Sequence, residues 1–338
     1  MAEQMTVWAV ERPGPIDSGP LRQVQRAVPS PAAREVLVRV LACGLCRTDL
    51  HLAEGDLEPR RAGVVPGHQV VGEVVDRGPA ADRFEVGDRI GIAWLRSTCG
   101  SCEFCRAGRE NLCPRSEYTG WDADGGYAEY AVVPQDYAYL VPGEAPVEEV
   151  APLLCAGIIG YRSLLRANLP PGGRLGIYGF GSSAHLTAQL AAAQGAEIFV
   201  MTRGSQNQAL ARELGAEFVG GAQDAPPVPM DSAIVFAPAG ELVAPALQAL
   251  KSGGTVALAG IYMSDIPTLN YDRDLFRERD LRSVTSNTRR DGEELLRLAA
   301  NVRIVAHTTT VGFDQVDRAL ADLAHGRAAG SLVMLPGA

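Results

Sequence analysis

The chain has no block of basic residues. Its 31 lysines and arginines are outnumbered by 40 aspartates and glutamates, which leaves a formal charge of −9. A nucleic-acid partner needs a clustered positive surface, so that class is excluded. The opening stretch, MAEQMTVWAVERPG, carries acidic residues and lacks the apolar core of a signal peptide. The longest uncharged run, residues 175–196, is broken by glycines and polar side chains and does not read as a membrane span. Internal repeats and low-complexity segments are also missing. With 46% hydrophobic and 21% charged residues, the composition excludes a disordered tail, a collagen-like fibre and a coiled coil. A soluble cytoplasmic protein of 338 residues is expected, long enough for two domains.

What the chain does have is seven cysteines, an odd number and a poor basis for a disulfide framework. Four of them, Cys99, Cys102, Cys105 and Cys113, are crowded together; the others are Cys43, Cys46 and Cys155. Four thiolates at that spacing can surround one Zn²⁺ tetrahedrally, and a site made only of cysteines is closed and structural. Gly100 and Gly108 let the short loops turn back on the metal. An iron–sulfur cluster or four unligated thiols are the alternatives.

The first 140 residues are β-rich. Segments 36–41, 70–75 and 127–133 are short, rich in β-branched or aromatic residues and bounded by turn formers, which suggests a compact barrel-like unit. The pattern changes near residue 148, where 148–165 reads as a helix. After Pro170-Pro171-Gly172-Gly173, strands at 174–178, 197–201, 216–219, 232–236, 255–259 and 281–285 alternate with helical stretches. Alternation of this kind implies a parallel sheet covered by helices. A helix at 293–300, a short strand around 302–308 and a helix at 313–324 close the chain.

Other metal-competent residues are scattered among CGLCRTDLH (43–51), PGHQ (66–69) and PLLCAG (152–157), none specific alone. Together with GDRIGIAWL, CGSCEFCRAGRENLC, GGYAEY and GFGSSAH, and in this order, these segments resemble the zinc-dependent medium-chain alcohol dehydrogenases over nearly the whole chain. The resemblance implies an α/β protein: a GroES-like β-rich catalytic domain (1–155, with a zinc lobe at 95–115), a Rossmann doubly wound parallel sheet (156–289) and a return to the catalytic domain (290–338). It further implies that Cys46, His68 and Cys155 hold a catalytic zinc, making two zincs per chain. Asp49 would orient the His68 ring. Thr48 would take the alcohol proton and pass it by way of the cofactor ribose to His51. Cys43 matches no ligand position and reads as packing. Trp94 and Trp121 would line an apolar cleft suited to an uncharged primary alcohol or aldehyde; core packing is the alternative for both.

Gly179-Phe-Gly181-Ser182-Ser183-Ala184 follows a strand and opens a helix, which fits the GxGxxG/A turn that admits a pyrophosphate. An acidic residue at the end of the second strand would bind a ribose 2′-hydroxyl. Here the stretch is Met201-Thr202-Arg203-Gly204-Ser205, with no acid until Glu213. A carboxylate repels a 2′-phosphate, whereas Thr202, Arg203 and Ser205 can bind one, so NADP(H) is favoured over NAD(H). By resemblance, Ser286 and Asn287 lie near the nicotinamide carboxamide. Two positions depart from the family: Gln69 stands where Glu is common after the zinc-binding histidine, and Ile159 replaces a Thr. Gln69 gives slight support to a different class, a non-catalytic, redox-responsive protein that binds zinc and nucleotide. A polyol-type dehydrogenase is opposed by the intact cysteine lobe and by Cys155. The short interval between Cys113 and Gly125 resembles the bacterial-type members, which form tetramers or dimers.

Overall fold

The structure is a computed structural model that describes residues 3–141, 145–328 and 330–337. The described residues form two compact units. One contains those of 1–155, 286–300 and 306–338, and the other those of 156–285 and 301–305.

The first unit is built on the long strand Glu35–Leu45. Its apolar alternation buries Val36, Val38 and Val40, and two register shifts along its pairing with Val70–Arg77 bend it around the core. The sheet runs Thr308–Gly312, Ser331–Leu335, Glu35–Leu45, Val70–Arg77, Arg89–Ile92, Ala138–Leu140, with Tyr130–Pro134 also paired to the long strand. An antiparallel hairpin of Gln4–Val10 and Leu21–Ala27 packs Val7 and Val10 into the same core. Segment 127–129, expected to begin a strand, pairs instead with that hairpin: the Trp8 N–H donates to Tyr127 O at 2.8 Å and the Glu129 N–H to Thr6 O at 3.3 Å.

The second unit holds six parallel strands in the order Phe218–Gly220, Glu197–Met201, Arg174–Tyr178, Met230–Val235, Leu250–Leu258, Asp280–Ser283. Numbered along the chain this is 3-2-1-4-5-6, the order of a dinucleotide-binding sheet. The order reverses beside Arg174–Tyr178, so the loop that follows at Gly179 sits at the switch point where such sheets bind ligands.

Two expectations need correction. The helix read over 148–165 is broken: Val147–Val150 is α-helical, Ala151–Leu154 is a 3₁₀ turn, and a second helix runs Ala156–Ala167. Pro152 has no N–H to continue an α-helical ladder and its ring crowds the preceding turn. The strand expected around 302–308 begins only at Thr308. Val305 is bound through both backbone groups to the Gln189 side chain, at 2.9 Å each, and so is not in a strand ladder.

Candidate metal and nucleotide sites

The sheet register brings two distant segments together. Cys43 pairs with Val70, and the Gly44 N–H donates to Gln69 O at 3.0 Å. The chain ends just beyond, Cys46 and His68, therefore meet. Cys46 caps the helix Arg47–Glu54: its Sγ accepts from the Thr48 N–H at 3.3 Å, and its own N–H donates to Asp49 Oδ2 at 3.0 Å. Cys155 enters from the break between the two helices, where its backbone (φ −132°, ψ −71°) is non-helical. His68 Nε2 lies 3.4 Å from Cys46 Sγ and 3.3 Å from Cys155 Sγ. Zn–S and Zn–N bonds of about 2.3 and 2.1 Å give tetrahedral edges of about 3.6 Å, so the three donors are spaced to share one ion.

Asp49 anchors this group from behind. It is 2% exposed, and its Oδ1 faces His68 Nδ1 at 3.2 Å and accepts from the Gly67 N–H at 3.0 Å. Its Oδ2 accepts from the Cys46 N–H and from the Tyr127 hydroxyl, each at 3.0 Å. Burial alone would push the carboxyl up, but the His68 ring and the backbone donors hold it below its ordinary value. Burial likewise opposes charge on His68, yet Asp49 and the Cys46 sulfur raise it to about 10. The Cys46 thiol, hydrogen-bonded to Cys155 and beside His68, is held well below the usual thiol range. A buried thiolate–imidazole group of this kind exchanges protons for a divalent cation, and its N and S donors match zinc better than a hard cation such as Mg²⁺. Gly67 is needed here: its φ is +97°, and a β-carbon would fall 2.6 Å from the Tyr127 ring.

The four-cysteine lobe closes on itself. Cys102 and Cys105 sulfurs are 3.5 Å apart, Cys113 and Cys99 3.5 Å, and Cys99 and Cys105 4.0 Å. All four thiols are unbridged. Backbone N–H groups of Cys99, Cys102, Cys105 and Arg115 point at the sulfurs from 3.3–3.5 Å. The donors of Ser101 and Cys102 bring Cys99 down to about 5, which favours the thiolate a metal binds. Gly100 and Gly108 both take φ of +66°, as the turning loops require. Cys43, buried and pushed up by burial, is no part of either group.

Thr48 and His51 lie three residues apart on the Arg47–Glu54 helix, on neighbouring surface positions. Trp94 meets the His68 ring edge-on at 4.9 Å and stacks on Tyr118 at 4.9 Å. Trp121 stacks on Trp94 and Tyr118 at 5.9 and 5.8 Å, and its Nε1–H donates to Glu58 O at 2.8 Å. Gln69, 3% exposed, lies so close to Gly44 that a β-carbon there would be 2.7 Å from its Oε1. Tyr127, Asp56 and Arg60, whose guanidinium lies 3.7 Å from the Trp121 ring centre, were not singled out by the sequence. Tyr127 reaches Asp49 across 78 positions, and no local pattern signals that.

In the second unit, Gly179 (φ +86°) turns so tightly that a β-carbon would sit 2.9 Å from Ala237 N. A β-carbon at Gly181 would meet nothing within 4 Å, leaving room for a ligand over the start of the helix Ser182–Ala193. Ser182 and Ser183 form its first turn, and Ala184 is buried. At the end of the second strand, Arg203, Gly204 and Ser205 are exposed. Thr202, however, is 2% exposed, with its hydroxyl donating to Arg203 O at 3.4 Å, so it supports the turn from inside. Ser286 and Asn287 belong to the first unit. Ser286 has φ of +50° and a buried, unpartnered hydroxyl; Asn287 is buried and donates to Thr288 O at 3.0 Å.

Two family models match the chain: alcohol dehydrogenase GroES-like domain over residues 32–143, and zinc-binding dehydrogenase over 184–301. The Mycobacterium tuberculosis (strain CDC 1551 / Oshkosh) protein named "Probable alcohol dehydrogenase AdhA" is 59% identical over 98% of this chain and 97% of its own. Among solved structures, a cinnamyl alcohol dehydrogenase of Sorghum bicolor is 28% identical with a TM-score of 0.87, covering 98% of this chain and 97% of that one. A protein of Sinorhizobium meliloti 1021 solved bound to NADP is 28% identical with a TM-score of 0.84, covering 99% and 100%. On these matches, and with a GroES-like domain joined to a Rossmann sheet, the chain belongs to the zinc-dependent medium-chain alcohol dehydrogenase family and is an oxidoreductase of that kind.

Proposed function

We propose that the enzyme interconverts an uncharged primary alcohol and its aldehyde with NADP(H), using one zinc held by Cys46, His68 and Cys155 and a second held by Cys99, Cys102, Cys105 and Cys113. The first zinc, when bound, supplies Lewis acidity to the substrate oxygen. The chain's own residues do the rest. Asp49 fixes the His68 ring and shields it from water. Thr48 accepts the alcohol proton at its hydroxyl, and His51 carries that proton towards solvent. Trp94 and Trp121 offer an apolar wall, which suits an uncharged substrate. Residues 1–155 and 290–338 would be the catalytic domain and 156–289 the nucleotide-binding domain. We further read the enzyme as a cytoplasmic tetramer or dimer, which light scattering on the purified protein checks; among the described residues, no single helix is long and apolar enough to cross a membrane.

The cofactor preference is carried by one observation: the second strand ends in exposed Arg203, Gly204 and Ser205, with no carboxylate until Glu213. A planar guanidinium binds a phosphate bidentately, and a hydroxyl adds a further donor. The NADP in the S. meliloti relative is in keeping with this. Steady-state kinetics with both cofactors tests it. NADPH is expected to give the higher kcat/KM, and Arg203→Ala to lower the value for NADPH by about 10–150-fold while leaving NADH nearly unchanged, as loss of a charged hydrogen bond of about 1.5–3 kcal/mol implies. A higher kcat/KM with NADH refutes the preference.

A further inference from the structure

We propose that Asp56 is a positioning residue for His51, fixing the ring tautomer in which Nδ1 carries the hydrogen and Nε2 carries the lone pair. The inference rests on the reading of His51 as the outer proton acceptor. His51 Nδ1 and Asp56 Oδ2 are 2.9 Å apart. A carboxylate only accepts, so the ring nitrogen facing it must donate, and the lone pair goes to the other nitrogen.

The backbone imposes this pairing. The helix Arg47–Glu54 ends at Gly55 in the left-handed region, φ +91°. The N–H groups of Gly55 and Leu57 both donate to His51 O at 3.0 Å, folding the chain back over the last turn. Asp56 lies between these two anchors, so its carboxylate is delivered to the His51 side chain. A side chain at Gly55 would be strained in φ and would also bring a β-carbon to 3.1 Å from Pro13. The His51 side chain is 14% exposed and that of Asp56 is 49% exposed. The acceptor is therefore wet while the ring it orients is mostly enclosed. In neutral imidazole free in water the hydrogen prefers Nε2, which would leave His51 unable to accept there. With Asp56 in place, Nε2 takes one proton to form imidazolium, the Nδ1 hydrogen stays on the Asp56 side, and the ring returns to neutral by releasing the Nε2 proton to water.

The test is a double-mutant cycle on the zinc-loaded enzyme, combining Asp56→Ala with His51→Gln. General acid–base groups contribute about 10²–10⁴-fold. Asp56→Ala is expected to lower kcat for alcohol oxidation about 10-fold with KM changed less than about 2-fold, and Asp56→Glu to recover part of the loss. In the His51→Gln background, Asp56→Ala should change kcat less than about 2-fold. Ring ¹⁵N shifts should show His51 as the Nδ1–H tautomer in the parent and as Nε2–H in Asp56→Ala. Asp17→Ala, which breaks the exposed His325–Asp17 pair, serves as a control and should leave kcat alone. An undiminished kcat in Asp56→Ala, an equal loss in both backgrounds, or an unchanged tautomer overturns the role of Asp56. If His51→Gln itself leaves kcat intact, the relay reading fails first and Asp56 falls with it.

Discussion

Tyr127 supports the cysteine–histidine group through Asp49, donating its hydroxyl to Asp49 Oδ2 at 3.0 Å. It is fully buried, burial pushes its phenol well above the usual range, and so its hydroxyl stays a donor to Asp49. Tyr127→Phe removes that donor and leaves the rest of the ring in place. Leaving a buried carboxylate short of one partner costs about 1–3 kcal/mol, and loss of a partner behind a metal ligand weakens metal affinity about 10–100-fold. Competition with a chelator should therefore strip zinc from Tyr127→Phe at lower chelator concentration than from the parent, with the four-cysteine zinc retained. Equal zinc retention by both proteins contradicts this role. None of this was legible in the sequence, because Asp49 and Tyr127 meet only through the fold. The cysteine lobe was legible because its four ligands turn within one short loop, where spacing alone constrains geometry.

At the scale of elements, glycines inside helices need opposite predictions from the ones propensity gives. Gly160 lies within the Ala156–Ala167 helix, where Ala is intrinsically better by about 0.5–1 kcal/mol. Here a β-carbon would come within 2.2 Å of Thr187 Oγ1 on the neighbouring helix, whose hydroxyl donates to Ser183 O at 2.7 Å. Overpacking of that kind costs about 1–3 kcal/mol, so the steric effect wins. Gly160→Ala should lower the urea midpoint of unfolding; a raised midpoint would show that the helices part freely. Another element is closed by a charge. Asp274, inaccessible to solvent, takes hydrogen bonds from Arg273, Gln248 and the Asn270 N–H, and these hold its carboxyl near 2, Arg273 contributing most. An ordinary Asp titrates near about 3.9. The stabilisation is therefore complete above about pH 5 and is lost as the pH falls through about 4 towards 2. The Tm gap between the parent and Asp274→Asn should be constant above pH 5 and close on acidification. A gap that widens in acid contradicts the sign.

Across the whole molecule, local patterns specify the regular strands, while the metal site is assembled from segments far apart in the chain. Strands 174–178 and 197–201 were readable to the residue because apolar, β-branched runs bounded by glycine admit one interpretation. That the sheet is parallel followed from the alternation of strands and helices, whereas its order, 3-2-1-4-5-6, is visible only in the fold. Cys46, His68 and Cys155 carry no common local pattern; strand register and a proline-induced break bring them within 4.8 Å of one another. Sequence spacing is silent about such a meeting, and only resemblance pointed to it. The Val302–Thr308 strand failed for a similar reason, since a distant glutamine side chain took the backbone groups that a strand partner would have used.

Whether Cys46, His68 and Cys155 hold a catalytic zinc is decided by zinc content per chain, measured alongside NADPH-dependent aldehyde reduction in the parent and in Cys155→Ser. Two zincs are expected in the parent and one in Cys155→Ser, with turnover lost together with the missing ion. Two zincs and intact turnover in Cys155→Ser would contradict this assignment.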